Sequence, residues 1–245
     1  MKKKSSFSGQ IGFVLAAAGS AVGVGNLWRF PYLVARDGGG LFLIIYLVLV
    51  LTFGFTLLTT DISIGRKTGQ SAIRAYESMR PGWKKLGFLT FMVPVLIMTY
   101  YAVIGGWILK YFIVFLTGAS GDAAKDSYFT SFITNTSSVW FGLIFMLVTA
   151  LIVYNGVEGG IERCSKFIMP VLLIMVVCIA IFSLTLKSKG ADGVVRTGLD
   201  GLKVYIIPDV SGLTVSRFLQ VTLDAMSQLF FSLSVSLRIM ITYGS

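Results

Sequence analysis

The sequence predicts an all-α polytopic membrane protein of six transmembrane helices, and three observations carry that prediction. Hydrophobic residues make up 55% of the 245-residue chain and charged ones 13%, with a mean hydropathy of +0.82, far from the balance of a soluble domain. Apolar stretches lie at about 11–35, 41–64, 88–117, 138–154, 166–186 and 216–245. Most of them reach the roughly 20 residues that a helix needs to cross hydrocarbon. The basic residues, which give a formal charge of +10, collect in alternate loops, so they read as topology and not as a nucleic-acid surface.

The first span is apolar from Ile11 to Ala18 and again from Tyr32 to Ala35, but its centre reads GSAVGVGNLWRFP from Gly19 to Pro31. Glycines 19, 23 and 25, followed by Asn26 and Arg29, predict a helix that comes apart at membrane depth. Unwound backbone there leaves polar groups that cost several kcal/mol each, so it persists only where it lines a cavity or binds something. The preceding MKKKSSFSGQ is basic, yet the span that follows is Gly-broken and continues past Arg29 without a small-residue cleavage site, so it is not read as a signal peptide.

The second span is nearly pure hydrocarbon until Asp61. After it, Ala72, Ile73, Ala75, Tyr76 and Met79 recur at helical spacing, which fits either a helix lying along the membrane interface or an ordinary solvated loop helix. The third span carries Pro94, Tyr100, Tyr101 and the pair Gly105 and Gly106, which reads as a close helix contact. The fourth is short. The fifth follows a charged entry of Glu158, Glu162, Arg163 and Lys166, with Pro170 near its start. Cys164 and Cys178 lie fourteen residues apart on that one helix and cannot meet, at about 1.5 Å of rise per residue. The sixth span is polar at its centre, with Ser232, Ser234, Ser236 and Arg238. The chain has no histidine, and no metal-ligand spacing is visible, so an enzyme is not expected.

Lys2 to Lys4, the 65–87 loop (Arg66, Lys67, Arg74, Arg80, Lys84, Lys85) and the Arg163 loop fall on one side under the positive-inside rule. That places the N-terminus in the cytoplasm of a multi-pass plasma-membrane protein. The organisation is a single transmembrane domain over 1–245: a cytoplasmic N-terminus 1–10, five helices over 11–186, an extracellular loop 187–215, and one further helix over 216–245. The other outer loop is 118–137.

GSAVGVGNLWRFPY with the following DGGG, the span-three YY…GGW, GIERCSKFIMP in span five and DAMSQLFFSLS in span six resemble the neurotransmitter:sodium symporters, bacterial amino-acid branch, of the LeuT fold. The resemblance runs from Phe7 to Ser245. It implies the first inverted repeat (helices 1–5) plus helix 6, with helices 1 and 6 discontinuous and a binding site at the midplane. The function implied is sodium-coupled amino-acid symport by alternating access. One sodium would be held by the carbonyl of Ala21, the amide oxygen of Asn26 and Ser232, and a second by the carbonyls of Gly19 and Val22, with further ligands from a helix that this sequence lacks. The substrate carboxylate would meet the freed N–H groups from Ala21 through Val24 to Gly25, together with the Tyr101 hydroxyl. Val22, Ile97, Phe231, Ser234 and Leu237 would line an apolar side-chain pocket suited to a hydrophobic amino acid. Arg29 matches the family's extracellular gate, and Asp61 matches an acid that supports the broken-helix backbone. Tyr46 and Gln228 match positions that hold chloride in animal relatives, but a later carboxylate usually replaces that ion in bacterial members, so chloride is left out. Phe7 with Lys4 matches the cytoplasmic latch only loosely, because Phe cannot donate an indole hydrogen bond.

Two departures set the alternatives. Ser236 and Arg238 stand where the family's helix-six break usually has glycines, which removes backbone freedom and adds a charge costing about 2.5–3.5 kcal/mol at membrane depth. The sequence also stops after one helix of the second repeat, so an N-terminal portion that is inactive alone, with a second chain supplying the missing helices, is expected. The alternatives are a non-transporting membrane subunit or vestigial protein that associates with itself or a full-length relative, and a small channel or unrelated six-span binding protein.

Overall fold

The computed structural model describes residues 9–189, 193–234 and 239–245. It is helical nearly throughout. The first apolar stretch forms α1 (Gln10–Ala21), α2 (Val24–Leu27) and α3 (Arg29–Arg36). The last bond of α1 runs from Val22 N–H to the Ala18 carbonyl. Val22 (φ −92°, ψ 112°) and Gly23 (φ −140°, ψ −177°) are then extended, and the segment Val24–Arg36 leaves at 63° to Gln10–Ala21.

Next, α4 (Gly40–Leu49), a π-helical turn (Val50–Gly54) and α5 (Phe55–Thr68) make one apolar helix of 29 residues. It stops at Gly69, whose φ of 56° is the left-handed geometry that glycine adopts without strain. The short α6 (Ala72–Met79) lies where helical spacing predicted a helix, and it buries Ala75 and Tyr76. The third apolar stretch is α7 (Lys84–Leu116), which runs through Pro94. Two helices that the sequence reading missed, α8 (Ser120–Ala123) and α9 (Asp126–Ile133), occupy the loop before α10 (Ser137–Tyr154). The predicted glycine contact is found between α7 and α10: a methyl at Gly106 would meet the Gly142 backbone, and one at Gly105 would overlap the Phe145 ring.

The fifth span begins earlier than the predicted residue 166. A π-helical turn (Val157–Glu162) continues into α11 (Arg163–Thr185), so the charged entry is itself helical and Pro170 lies inside. The loop after it holds an antiparallel pair, β1 (Lys187–Lys189) with β2 (Val195–Thr197), and α12 (Gly198–Ile206).

The sixth stretch is divided into α13 (Val215–Ser232) and α14 (Ile239–Gly244). Among the described residues, four helices are long and apolar enough to cross a membrane, namely Gly40–Thr68, Lys84–Leu116, Ser137–Tyr154 and Val157–Thr185, and the bent pair would make a fifth if it is one span. The predicted sixth does not meet that test, because Arg217, Gln220, Asp224 and Gln228 make one face of α13 polar and the residues between α13 and α14 are not described. The predicted features at Val235 to Arg238, and at Lys4 and Phe7, lie outside the described residues.

The core joins the first and last segments. Leu33 and Val34 of α3, Phe42 and Leu49 of α4, and Val221, Ala225 and Leu229 of α13 are buried together, with Phe30 edge-on to Phe42 and to Tyr46. At the other end, α14 packs on α5 and α6 through Ile241, Ala75 and Tyr76. Large hydrophobic side chains cover the outer faces of α7, α10 and α11, as hydrocarbon-facing helices require.

Candidate functional site

The site begins where α1 runs out of helical donors. Because Val22 N–H closes the last turn, the carbonyls from Gly19 to Val22 lose the donor four residues on and become available to side chains or to a ligand. Two of them are claimed by side chains. Asn26 Nδ2 donates to the Ala21 carbonyl at 3.2 Å, and Ser234 Oγ donates to the Ser20 carbonyl at 2.9 Å. Ser232, buried at the end of α13, donates through Oγ to Asn26 Oδ1 at 3.4 Å and accepts from Gln228 Nε2 at 3.1 Å. The Ala21 carbonyl, the Asn26 amide oxygen and the Ser232 hydroxyl, contributed by segments 206 residues apart, therefore form one cluster of neutral oxygens. Such a set suits a hard monovalent cation, which prefers oxygen ligands.

The other proposed ligand pair, the carbonyls of Gly19 and Val22, borders α11. A methyl at Gly19 would touch Met169 Sδ and Ser165 Oγ at 3.4 and 3.5 Å, so the break is backed by the fifth apolar helix. Val22 is partly exposed at the bend.

Beside the break are two cavities that share Arg29, Tyr101 and Phe231. One, of about 410 Å³, is lined by Val24, Gly25, Trp28, Arg29, Tyr32, Tyr100, Tyr101, Ile104 and Phe231. The other, of about 250 Å³, is lined by Arg29, Ile97, Tyr101, Ser227, Phe230, Phe231 and Ser234. Gly25 is needed here because a methyl at that position would overlap the Phe231 ring. Ser234 sits at φ 50°, a strained geometry for a residue with a side chain, at the point where α13 stops.

The structure thus brings together the predicted residues Ala21, Val24, Gly25, Asn26, Ile97, Tyr101, Phe231, Ser232 and Ser234, while Leu237 lies outside the described residues. Trp28, Tyr32, Tyr100, Ile104, Ser227 and Phe230 were missed as lining residues. Helical spacing could have found several of them, since Ile104 follows Ile97 and Tyr101 on one face of α7, and Trp28 is one turn beyond Val24.

Arg29 bridges α3 to α13 above the cavities, donating to Ser227 Oγ at 3.0 Å and to Gln228 Oε1 at 3.4 Å. Asp61 is buried on α5, one turn before Gly65. A methyl at Gly65 would overlap the Ile241 carbonyl, so this face of α5 is the one pressed against α14.

A second cluster, which sequence reading did not anticipate, closes the C-terminal end of α3. Arg36 Nε and Nη2 bond both oxygens of the buried Asp37 at 2.9 and 3.0 Å, and Nη2 also contacts Asp224 of α13. Arg217 Nη2 donates to the Arg36 carbonyl at 2.7 Å and lies 3.9 Å from Asp37 Oδ1. The glycines after Asp37 accept backbone from the far loop: Gly38 and Gly39 have φ of 86° and 57°, Asp209 N–H donates to the Gly38 carbonyl, and a methyl at Gly39 would strike the Val204 carbonyl.

Comparison with known proteins gives the family and the fold. Relatives include an uncharacterized sodium-dependent transporter of Bacillus subtilis, 34% identical over all of this chain and 52% of its own length, and another of Methanocaldococcus jannaschii, 35% identical over 99% of this chain and 49% of its own. A crystal structure of MhsT in complex with L-phenylalanine matches with a TM-score of 0.81 and 36% identity, over 99% of this chain and 54% of that one. The chain thus spans about half the length of the relatives it matches, and it has the LeuT-type helical fold of the corresponding part of MhsT, that of a multi-pass membrane protein. The sodium:neurotransmitter symporter family model matches residues 4–131 and 122–245, and the chain belongs to that family of transporters.

Proposed function

We propose that this chain supplies one half of a sodium-coupled amino-acid symport site, and one observation supports the reading above all. Asn26 at the break of the first helix and Ser232 at the end of α13 share a hydrogen bond, with the Ala21 carbonyl on the other side of Asn26. Sodium entering between these three oxygens would replace weak, long hydrogen bonds with ion–dipole contacts. It would thereby tie the two broken segments together. The carbonyls of Gly19 and Val22 offer the start of a second sodium site, whose remaining ligands come from the part of the relatives that this chain does not span.

The substrate is a hydrophobic amino acid. Its carboxylate meets the N–H groups at the start of the segment Val24–Arg36, where the helix dipole favours an anion, and the hydroxyl of Tyr101. Its side chain lies among Ile97, Phe231 and their neighbours in the smaller cavity. MhsT, at 36% identity, was crystallised with L-phenylalanine, which fits an aromatic-lined cavity of this kind. Arg29 bridges to Ser227 and Gln228 on the outer side and so gates entry, and Asp61 supports the backbone of α14.

In this reading the bent pair is one broken span and α13 with α14 another, giving six spans with the N-terminus in the cytoplasm of the plasma membrane. Alternating access requires the opposing repeat, from the same polypeptide or a second one. Melting of the purified chain in NaCl and in KCl, with and without L-phenylalanine, tests the reading. Sodium should raise the midpoint, phenylalanine should raise it further in NaCl alone, and Asn26→Leu should abolish both shifts. Identical midpoints of the wild type in the two salts would sink the proposal.

A further inference from the structure

A groove that shares no lining residue with the two cavities has its own chemistry. It runs along the exposed face of α5 for about 410 Å³, from Phe55 past Thr59 and Ser63 to Lys67, and Met79 of α6 closes one side. Its threonine hydroxyls need no outside partner: Thr56, Thr59 and Thr60 each donate to the carbonyl four residues back, at 2.8, 2.7 and 2.7 Å. The wall therefore tolerates hydrocarbon despite its threonines.

The end of the groove is different. Arg66 and Lys67 occupy the last turn of α5, and Arg74, Arg80, Lys84 and Lys85 follow within twenty residues, all exposed, with Glu77 the single carboxylate among them in the sequence from 62 to 87. Among the described residues none of these six cations is ion-paired. Arg80 stacks on Trp83, an aromatic side chain of the kind that sits at headgroup level.

We infer that this groove is a binding site for an anionic phospholipid, with one acyl chain lying along Phe55 to Ser63 and the phosphate held by Lys67 and Arg66. Charge complementarity selects that occupant: a hydrocarbon-tolerant wall ends at a surplus of unpaired cations, and a lipid with a negative headgroup supplies both chemistries in one molecule. The inference rests on the membrane reading above but not on sodium or amino-acid binding, so either can fail alone.

Native mass spectrometry of the purified chain, supplied in detergent with equal phosphatidylglycerol and phosphatidylcholine, tests it. The expected result is selective retention of phosphatidylglycerol. Arg66→Gln and Lys67→Gln should each lower that enrichment about fivefold, the equivalent of about 1 kcal/mol per cation. Lys187→Gln with Lys189→Gln, on β1 at the other end of the helices, should leave it unchanged. Ser63→Trp fills the groove with every cation in place and should release the lipid as well. The inference is overturned by equal retention of the two lipids, by retention that survives Ser63→Trp, by an equal loss in the β1 pair, or by displacement with inorganic phosphate. Photocrosslinking from the groove to a second polypeptide in place of lipid would also overturn it.

Discussion

The two places where the first helix meets α13 are held by opposite kinds of chemistry. At the outer end, Arg36, Asp37, Arg217 and Asp224 make charged contacts, several at 2.7 to 3.0 Å, around a carboxylate with no solvent exposure. At the break of the first helix, Asn26, Ser232 and the Ala21 carbonyl are neutral and stand 3.2 to 3.4 Å apart. Charge-assisted bonds of good length fix a geometry, whereas long neutral ones contribute little and are easily exchanged. The outer contact therefore serves as a clasp that holds the half-helix in register, and the inner one as a place where a ligand can take over the bonding.

The largest effect that separates the two should come from Asp37→Ala. It strips the buried partner from Arg36 and Arg217, although Arg36 keeps Asp224 and both guanidinium groups reach solvent. We expect a loss of about 2 kcal/mol, below the 3–5 kcal/mol of a fully buried pair because of that screening. Thermal melting measures it, and a change under about 0.5 kcal/mol would mean that the clasp does not hold the fold.

Gly25→Ala comes next and acts on the inner region. The new methyl would overlap the Phe231 ring, which lines both cavities and would be pushed toward them. Stability should fall by about 1 kcal/mol, in the range of a mild overpacking. Binding of L-phenylalanine in NaCl should weaken by about tenfold or more. Unchanged affinity would place the substrate elsewhere.

Ser232 gives a finer discrimination. Ser232→Ala removes the 3.4 Å bond to Asn26 and the 3.1 Å bond from Gln228 and should cost about 1 kcal/mol, yet it should erase the sodium-dependent rise in melting temperature. Ser232→Thr keeps the hydroxyl and should keep the rise. If both variants respond to sodium as the wild type does, the hydroxyl is not a ligand.

The inner region was largely legible in the sequence and the clasp was not, for a physical reason. A bend in an apolar helix is written locally: Gly19, Gly23 and Gly25 interrupt an apolar run and are followed by Asn26 and Arg29. The clasp joins Arg36 to Asp224, 188 residues away, and only the packing of α3 against α13 brings them together. Asp37 and the three glycines after it entered the reading only as part of the family motif, and only the packing shows that they form a bed for the backbone of α12 and the loop beyond it. The π-helical turns at Val50–Gly54 and Val157–Glu162 escaped for a different reason. One extra residue per turn barely disturbs hydrophobic periodicity, so it leaves no pattern to read.

The smallest predicted effect tests whether the outer clasp depends on its covering loop. Helix α12 carries Val204 and Ile206, whose carbonyls lie against Gly39 and Gly40. It is started by a capping box in which Thr197 N–H and Oγ1 donate to Asp200 Oδ2, both at 2.9 Å. The Thr197 backbone donor, then the Thr197 hydroxyl and Lys203, hold the Asp200 carboxyl down to about 2, below its ordinary 3.8. A depressed carboxylate contributes stability that is fully present above pH 3.8 and is lost as pH falls through about 2. Amide hydrogen exchange over 198–206 should therefore accelerate between those pH values, and Asp200→Asn should show the faster exchange already at pH 5. Because the Asp200 side chain is half exposed, the loss should stay local, opening α12 and the cover over Gly39 while the backbone amides around Asn26 and Ser232 remain protected. Simultaneous loss of protection in both regions would show that clasp and break are one cooperative unit and not two.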